Sequence, residues 1–243
     1  MPDTEEEPVQ YLMLVRVDPD LAARGVAPVE PWVEEGTRTG MRHFGNPLED
    51  PDTATTVARQ AGRTVLADGP FTETKEVVAG FDLLEAPDLE AAVDYAARHP
   101  VAAVGALEVR EVWEDFVEEA GGDPVPTRED GREYLFLHVP DPAALATATR
   151  EDADPTAWVR DVESRGVTLG GWRLRDADAG SAATVRVRDG RTLIARGPYT
   201  ETAEQIAGID RVRVADLDEA IGLAAAHPTS AIGRIEIRPL VSA

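Results

Sequence analysis

Asp68-Gly69-Pro70-Phe71-Thr72-Glu73-Thr74-Lys75-Glu76, closed by Ala79-Gly80-Phe81, decides the fold, because the chain writes it twice. The second copy reads Arg196-Gly197-Pro198-Tyr199-Thr200-Glu201-Thr202-Ala203-Glu204, with Ala207-Gly208-Ile209 behind it. The offset of 128 residues holds without a gap from Gly62 and Gly190 to Arg110 and Arg238, and His99-Pro100 returns as His227-Pro228. A segment repeated in constant register is a tandem duplication, and such a period has to be found before a fold is assigned. One exchange stands out inside the repeat. Asp68 has become Arg196, so an acid in one copy is a base in the other.

At 243 residues the chain has room for two ordinary domains, and the duplication makes two the expectation. Their expected extents are residues 9–114 and 132–240, joined by a linker over 115–131. That linker is rich in charge and turn formers (Glu118-Glu119, Gly121-Gly122, Pro124, Pro126, Arg128-Glu129-Asp130-Gly131) and has no apolar period. The formal charge of −22 argues against a nucleic-acid partner, since phosphate affinity comes from clustered lysine and arginine. Lys75 is the sole lysine, which reads as compositional bias. Cysteine is absent, and with it disulfides, thiolate nucleophiles and sulfur-ligated metals. No apolar run is long enough to span a bilayer, and the acidic Met1–Glu7 segment does not read as a signal peptide. The expectation is a cytoplasmic protein with no membrane partner.

Along the chain, residues 1–8 carry nothing to pack and read as disordered. Tyr11–Val17 reads as a strand and Trp32–Arg38 as a helix stopped near Gly40; Gly45, Asn46, Pro47 and Pro51 mark loop. Ala54–Arg59 and Thr64–Ala67 pair as a hairpin, and Gly69-Pro70 ends its second strand because proline has no N–H for the ladder. Val77–Glu85 is the next strand, with Gly80 as a candidate bulge. Asp88 caps a helix that ends before His99-Pro100, and Ala106–Val112 is the last strand. The second half replays this: strand Tyr134–Val139, helix Pro155–Arg165, hairpin Ala183–Val187 with Thr192–Ala195 turning at Asp189-Gly190. Strand Ile206–Val214, a helix capped by Asp216 and strand Ile232–Ile237 complete it. Strand, helix, two or three strands, helix, strand is an α+β order of the split βαβ kind, with helices on one sheet face. Two such units can cover each other's open faces, so an intrachain pseudo-dimer is expected.

In Thr53–Val57, the Asp68–Glu76 loop, Gly80-Phe81, Asp88–Ala92, His99-Pro100 and Glu108–Arg110, the chain resembles the YCII-related proteins of the DGPF type, named for that loop. The resemblance covers nearly all of the first half and most of the second. It implies two ferredoxin-like domains of the dimeric α+β-barrel type, with a pocket between sheet and helices. It also implies, from the wider group, a histidine and an aspartate as active-site residues. By position the acid falls on Asp68, and His99 lies where the branch has its helix-ending polar residue. The histidine that some members carry in the first helix has no match in Trp32–Arg38. Members of the branch are often associated with extracytoplasmic-function sigma factors.

Asp68 and His99 are therefore the catalytic candidates. A carboxylate at a strand end can act as general base, and histidine titrates near neutrality. Phe71, Glu73, Thr74, Arg196, Tyr199 and His227 are the ligand-binding candidates around them. Each has a structural reading beside the functional one: an Asx turn for Asp68, a helix-terminal cap for His99 and His227, local turn bonds for the Thr-Glu-Thr run, core packing for Phe71 and Tyr199. His43 and His138 have no partner at metal spacing, so no metal site and no cofactor are expected. Two functions stay open. One is a small-molecule binding protein or enzyme whose second domain is degenerate at Arg196. The other is a non-catalytic regulatory or interaction module, a monomer or homodimer, linked to a sigma-factor system.

Overall fold

The computed structural model describes residues 8–18, 25–70, 76–113, 129–197, 199 and 205–242. Residues 1–7, most of the linker, and Phe71, Glu73 and Thr74 lie outside them. The first half runs β1 (Val9–Val17), α1 (Glu30–Thr39), β2 (Arg42–Pro47), β3 (Thr55–Gln60), β4 (Arg63–Asp68), β5 (Val77–Ala86), α2 (Leu89–Ala96) and β6 (Gly105–Glu111). The second half runs β7 (Arg132–Pro140), α3 (Thr156–Ser164), β8 (Thr168–Arg173), β9 (Ala182–Arg188), β10 (Arg191–Arg196), β11 (Gly208–Val214), α4 (Leu217–Ala226) and β12 (Gly233–Pro239).

Two antiparallel six-stranded sheets result, ordered β10-β9-β6-β1-β5-β2 and β4-β3-β12-β7-β11-β8. Leaving the hairpins aside, each sheet keeps the order fourth-first-third-second of its own half's core strands, which is the ferredoxin-like split βαβ topology. The chain is thus an α+β protein of two ferredoxin-like domains. The hairpins are exchanged: β3 pairs with β12, and β9 pairs with β6. The compact units accordingly draw on both halves of the sequence. One comprises Met1–Pro47, Thr74–Val112 and Leu174–Tyr199, the other Leu48–Glu73, Trp113–Arg173 and Thr200–Ala243.

The cause of the exchange is visible where each chain leaves its second core strand. After β2, Leu48 bridges to Leu240 and the Glu49 amide donates to the Pro239 carbonyl at 2.9 Å, so the backbone is already beside β12 when β3 begins. After β8, Leu174 bridges to Val112 and the Arg175 amide donates to Glu111 at 3.0 Å. Buried arginines secure both crossings. Arg238 donates through Nη2 to the Glu49 carbonyl, and Arg110 to the Arg175 carbonyl, each at 2.8 Å. Each also pairs with the glutamate two residues before it, Glu236 and Glu108.

Each core lies between one sheet face and its helices. In the first unit Tyr11, Met13, Trp32, Leu84, Val93, Tyr95 and Leu107 pack with Ala183 and Val185 from the incoming hairpin. In the second, Tyr134, Phe136, Trp158, Val212, Leu223 and Ile235 pack with Val57. The helices begin where the sequence reading puts them, Asp88 accepting from the Ala91 amide at 2.8 Å and Asp216 from the Glu219 amide at 2.9 Å. The hairpin turns Ala61-Gly62 and Asp189-Gly190 hold positive φ at both residues, the geometry that two-residue hairpins favour. The register slips between Val15 and Arg16, opposite Gly80 and Val78, so the bulged residue is Ala79, next to the Gly80 where a bulge was expected. Two strands differ from the sequence reading. β2 occupies a stretch read as loop, and β8 was not anticipated; both are sheet edges interrupted by glycine or proline, where propensity is silent.

Candidate functional site

The split βαβ topology puts alternate residues of the central strands under the helices, and in each unit one of those residues is an aspartate. Asp82 on β5 lies opposite Met13, and Asp210 on β11 lies opposite Phe136. Both residues are nearly buried, at 6 % and 9 % exposure. Each packs against a glycine of the neighbouring edge strand so closely that a Cβ there would sit 2.0 Å from Asp82 Oδ1 (Gly45) or 2.3 Å from Asp210 Oδ1 (Gly171). The glycines of β2 and β8 are therefore part of the carboxylate sites.

A buried carboxylate needs a partner, and the two units supply different ones. In the first, Arg42 of β2 donates through Nε to Asp82 Oδ1 at 2.6 Å. Burial still dominates and lifts the Asp82 carboxyl to about 6, the arginine only moderating it. In the second unit the strand position of Arg42 is held by Thr168, facing Val212 as Arg42 faces Leu84. Asp210 instead takes His138 of β7, Nε2 to Oδ2 at 2.7 Å. His138 faces Gly208 where Val15 faces Gly80, so the first unit has valine at the histidine's place.

The two helix-terminal histidines complete these sites from above. His99 and His227 each accept a hydrogen bond at Nδ1 from the amide two residues on, Val101 and Thr229, both at 3.1 Å. Each lies edge-on to a tryptophan, Trp32 at 4.6 Å and Trp158 at 4.7 Å between centroids. Burial, helped by Arg42, lowers His99 to about 4. Burial and His138 lower His227 to about 3, against the pull of Asp210. Both are neutral caps at pH 7. His227 also approaches Asp210, Nε2 to Oδ2 at 3.9 Å, and its ring lies 4.3 Å from that of His138.

His138, Asp210 and His227 thus gather ligand atoms within 4.8 Å of one another, a set that could be taken for a metal centre. The proton positions fit another use. His227 Nδ1 is committed as acceptor to the Thr229 amide, so its neutral ring carries the proton on Nε2 and offers no lone pair towards Asp210. His138 faces the carboxylate through Nε2, which leaves its own lone pair on Nδ1. That nitrogen is buried and has no hydrogen-bond partner among the described residues. The donor set suits a proton held between histidine and carboxylate better than a cation.

The residues singled out in the sequence lie as follows. Asp68 ends the exposed β4 and belongs to the second unit, while His99 belongs to the first. Arg196 ends the equally exposed β10. Tyr199 follows it, hydrogen-bonded to Glu76 Oε2 and lying under Arg16 (4.2 Å) and Arg186 (5.5 Å). Burial and the Glu76 bond push its phenol to about 12. Arg186 reaches the same Glu76 oxygen at 2.8 Å, and Arg16 pairs with Glu108. Among the described residues of the predicted set, His227 alone sits in the His138–Asp210 cluster. Asp210 and His138 were missed, although the signal was in the sequence. The aspartate recurs at the 128-residue offset on the apolar face of a strand, and His138 interrupts the apolar run Tyr134–Val139.

Fold and site together define a duplicated split-βαβ protein with a buried carboxylate under the helices of each unit and a histidine–aspartate pair in the second. The YCII-related domain is matched twice along the chain, over residues 10–115 and 133–242, and the chain belongs to that family. An uncharacterised protein of Rhizobium meliloti (strain 1021) is 46% identical over 43 residues, which is 18% of this chain and 35% of the relative. The match therefore spans about a third of that relative's length. Among solved structures, a mutant chlorite dismutase of Candidatus Nitrospira defluvii in complex with cyanide aligns over 100% of this chain and 96% of its own, at 10% identity and TM-score 0.45. A second mutant of that enzyme aligns over 97% and 91%, at 9% identity and TM-score 0.44. No chemistry carries over at that level. Among the described residues no helix is long and apolar enough to cross a membrane.

Proposed function

We propose that this YCII-related protein binds a small proton-donating molecule in its second unit and that His138 accepts the proton. The observation that carries this reading is the His138–Asp210 pair at 2.7 Å, whose outer nitrogen, Nδ1, is buried and has no partner among the described residues. A carboxylate on one imidazole nitrogen fixes the tautomer and leaves the other as the base, and it balances the charge when a proton arrives. The His227 ring packs on that of His138 from above and is itself held edge-on by Trp158. The first unit lacks this arrangement, because Val15 replaces the histidine and Arg42 occupies the carboxylate. It serves as scaffold in this reading. The earlier candidates enter differently: His99 as a neutral cap, Asp68 and Arg196 at exposed strand ends.

The test uses the first unit as a template. His138→Val with Thr168→Arg rebuilds in the second unit the pairing found around Asp82, so the fold is retained while the base is removed. Ligand-observed NMR with a fragment set of phenols, enolisable ketones and amides should give binders that shift the His138 Nδ1 resonance and are lost in the double variant. Fragments binding both proteins equally, or none shifting that resonance, would overturn the reading.

A further inference from the structure

We infer that the ligand of the second unit is a small monocarboxylic acid and that Arg173 of β8 anchors its carboxylate. The inference rests on His138 as the base of that unit and names the kind of acid that reaches it. One row of residues crosses the sheet at this point. His138 on β7 faces Gly208 on β11, and Gly208 faces Arg173 on β8. Directly opposed residues of antiparallel strands project to the same side of a sheet. Asp210, two residues on from Gly208 and bonded to His138, identifies that side as the one under the helices. Gly208 puts no side chain between the histidine and the arginine. Because β8 is the outermost strand, the row runs from the buried His138 to an exposed Arg173 at the sheet edge.

The surroundings of Arg173 prepare it for an anion. Among the described residues no carboxylate pairs with it, whereas Arg211 and Arg213 of the same unit both pair with Glu133. Its guanidinium lies over the Trp113 ring, 4.6 Å from the centroid, and the Trp113 amide donates to the Arg173 carbonyl at 2.8 Å. An aromatic face orients a guanidinium by cation–π attraction and leaves the N–H groups at its rim. Those groups form the fork that takes one carboxylate through two parallel hydrogen bonds. A single fork in a chain of charge −22 favours one negative charge over the two of a phosphate ester. The first unit has the corresponding row without either group, since Val15 and Pro47 face Gly80 there. Base and cation are thus present together or absent together. Neighbouring strands lie about 4.8 Å apart, so roughly 10 Å separates the two backbones. The reach of both side chains shortens that gap to the length of one substituted ring or a short chain.

An NMR titration of the full chain with para-hydroxyphenylpropionate and with its methyl ester tests this, read at His138 Nδ1 and Arg173 Nε. The ester keeps the acidic phenol and loses the charge. The acid should shift both resonances; the ester should shift His138 alone and bind roughly tenfold more weakly or worse. Arg173→Gln should bring the acid down to the level of the ester and leave the ester where it was. Arg173→Lys should keep part of the preference, as a charge without the fork. Arg191→Gln, on β10 of the first unit, should change neither compound. Acid and ester binding within about twofold of each other overturn the anchor while the base stands, provided both shift His138. An acid that keeps its advantage in Arg173→Gln overturns the anchor as well. An acid that shifts Arg173 and not His138 overturns the base instead, and silence at both resonances overturns both.

Discussion

Acidification should destabilise this protein through its buried histidine caps, by an amount the structure lets one work out. His227 has its folded value lowered to about 3 and His99 to about 4, from 6.5. Below 6.5 the unfolded chain binds a proton at each site that the folded chain refuses, so stability falls as pH drops, at about 1.4 kcal/mol per pH unit per group. Between pH 7 and 4.5 that is a loss of roughly 3 kcal/mol for each histidine. Asp82 works the other way. Its folded value is raised to about 6 from 3.8, so below 6 the folded state binds the extra proton, and stability rises by roughly 2 kcal/mol over the same interval. In the first unit the two effects largely offset each other. The three together remove about 4 kcal/mol, a large part of a typical domain's stability. Urea unfolding followed by tryptophan fluorescence at pH 7 and 4.5 reads the difference. His227→Asn keeps a cap acceptor without a titrating ring, and its loss on acidification should be about 3 kcal/mol smaller than that of the wild type. Asp82→Asn should be more acid-sensitive than wild type, by roughly 2 kcal/mol. If His227→Asn loses as much as the wild type, or Asp82→Asn proves less acid-sensitive, the reasoning fails.

Arg238 is fully buried, pairs with Glu236 at 3.2 Å and holds the Glu49 carbonyl. Arg238→Ala should cost about 3–5 kcal/mol in equilibrium unfolding, because it strands a buried carboxylate, and Arg238→Met with Glu236→Leu should recover much of that. Gly171→Ala places a methyl 2.3 Å from Asp210 Oδ1, so it should destabilise by about 1–3 kcal/mol in thermal unfolding. It should also displace the His138 imidazole resonances, which a purely local strain on β8 would leave in place.

Most of the topology was legible because it rests on period and punctuation. The 128-residue repeat, the two hairpins and the capped helices follow from alternation, Asp-Gly and Asp at N-caps, all local signals. The exchange of hairpins was not legible. It is set by Leu48 meeting Leu240 and Leu174 meeting Val112, contacts nearly two hundred and about sixty residues apart that no window of sequence contains. β2 and β8 were hidden for a related reason. Gly45 and Gly171 are there to admit a carboxylate from the next strand, so the residues weaken the strand signal in order to build the site. The candidate centre failed at the same level: His138, Asp210 and His227 stand 72 and 17 residues apart, on two strands and a helix end, which motif spacing does not sample.

Duplication also explains why a polar residue survives at Asp82 and Asp210 under the helices of both units. A carboxylate in that position is costly alone, so each copy must retain a cation or a proton donor beside it. Arg42 satisfies the first permanently and leaves nothing for a ligand to use. Where Thr168 replaces that arginine, the burden passes to His138, which bonds Asp210 through Nε2 and carries a second ring nitrogen, Nδ1, on its other side. The same divergence appears on the strands that follow. Arg16 and Arg186 surround Tyr199 in the first unit, while the matching positions Val139 and Ala58 are apolar. One copy has therefore moved its ionic groups into fixed pairs that bind the structure together. The other has kept one buried acid paired with a histidine instead of a fixed arginine, and that difference in partner, not the shared fold, makes the second unit the place to look for chemistry.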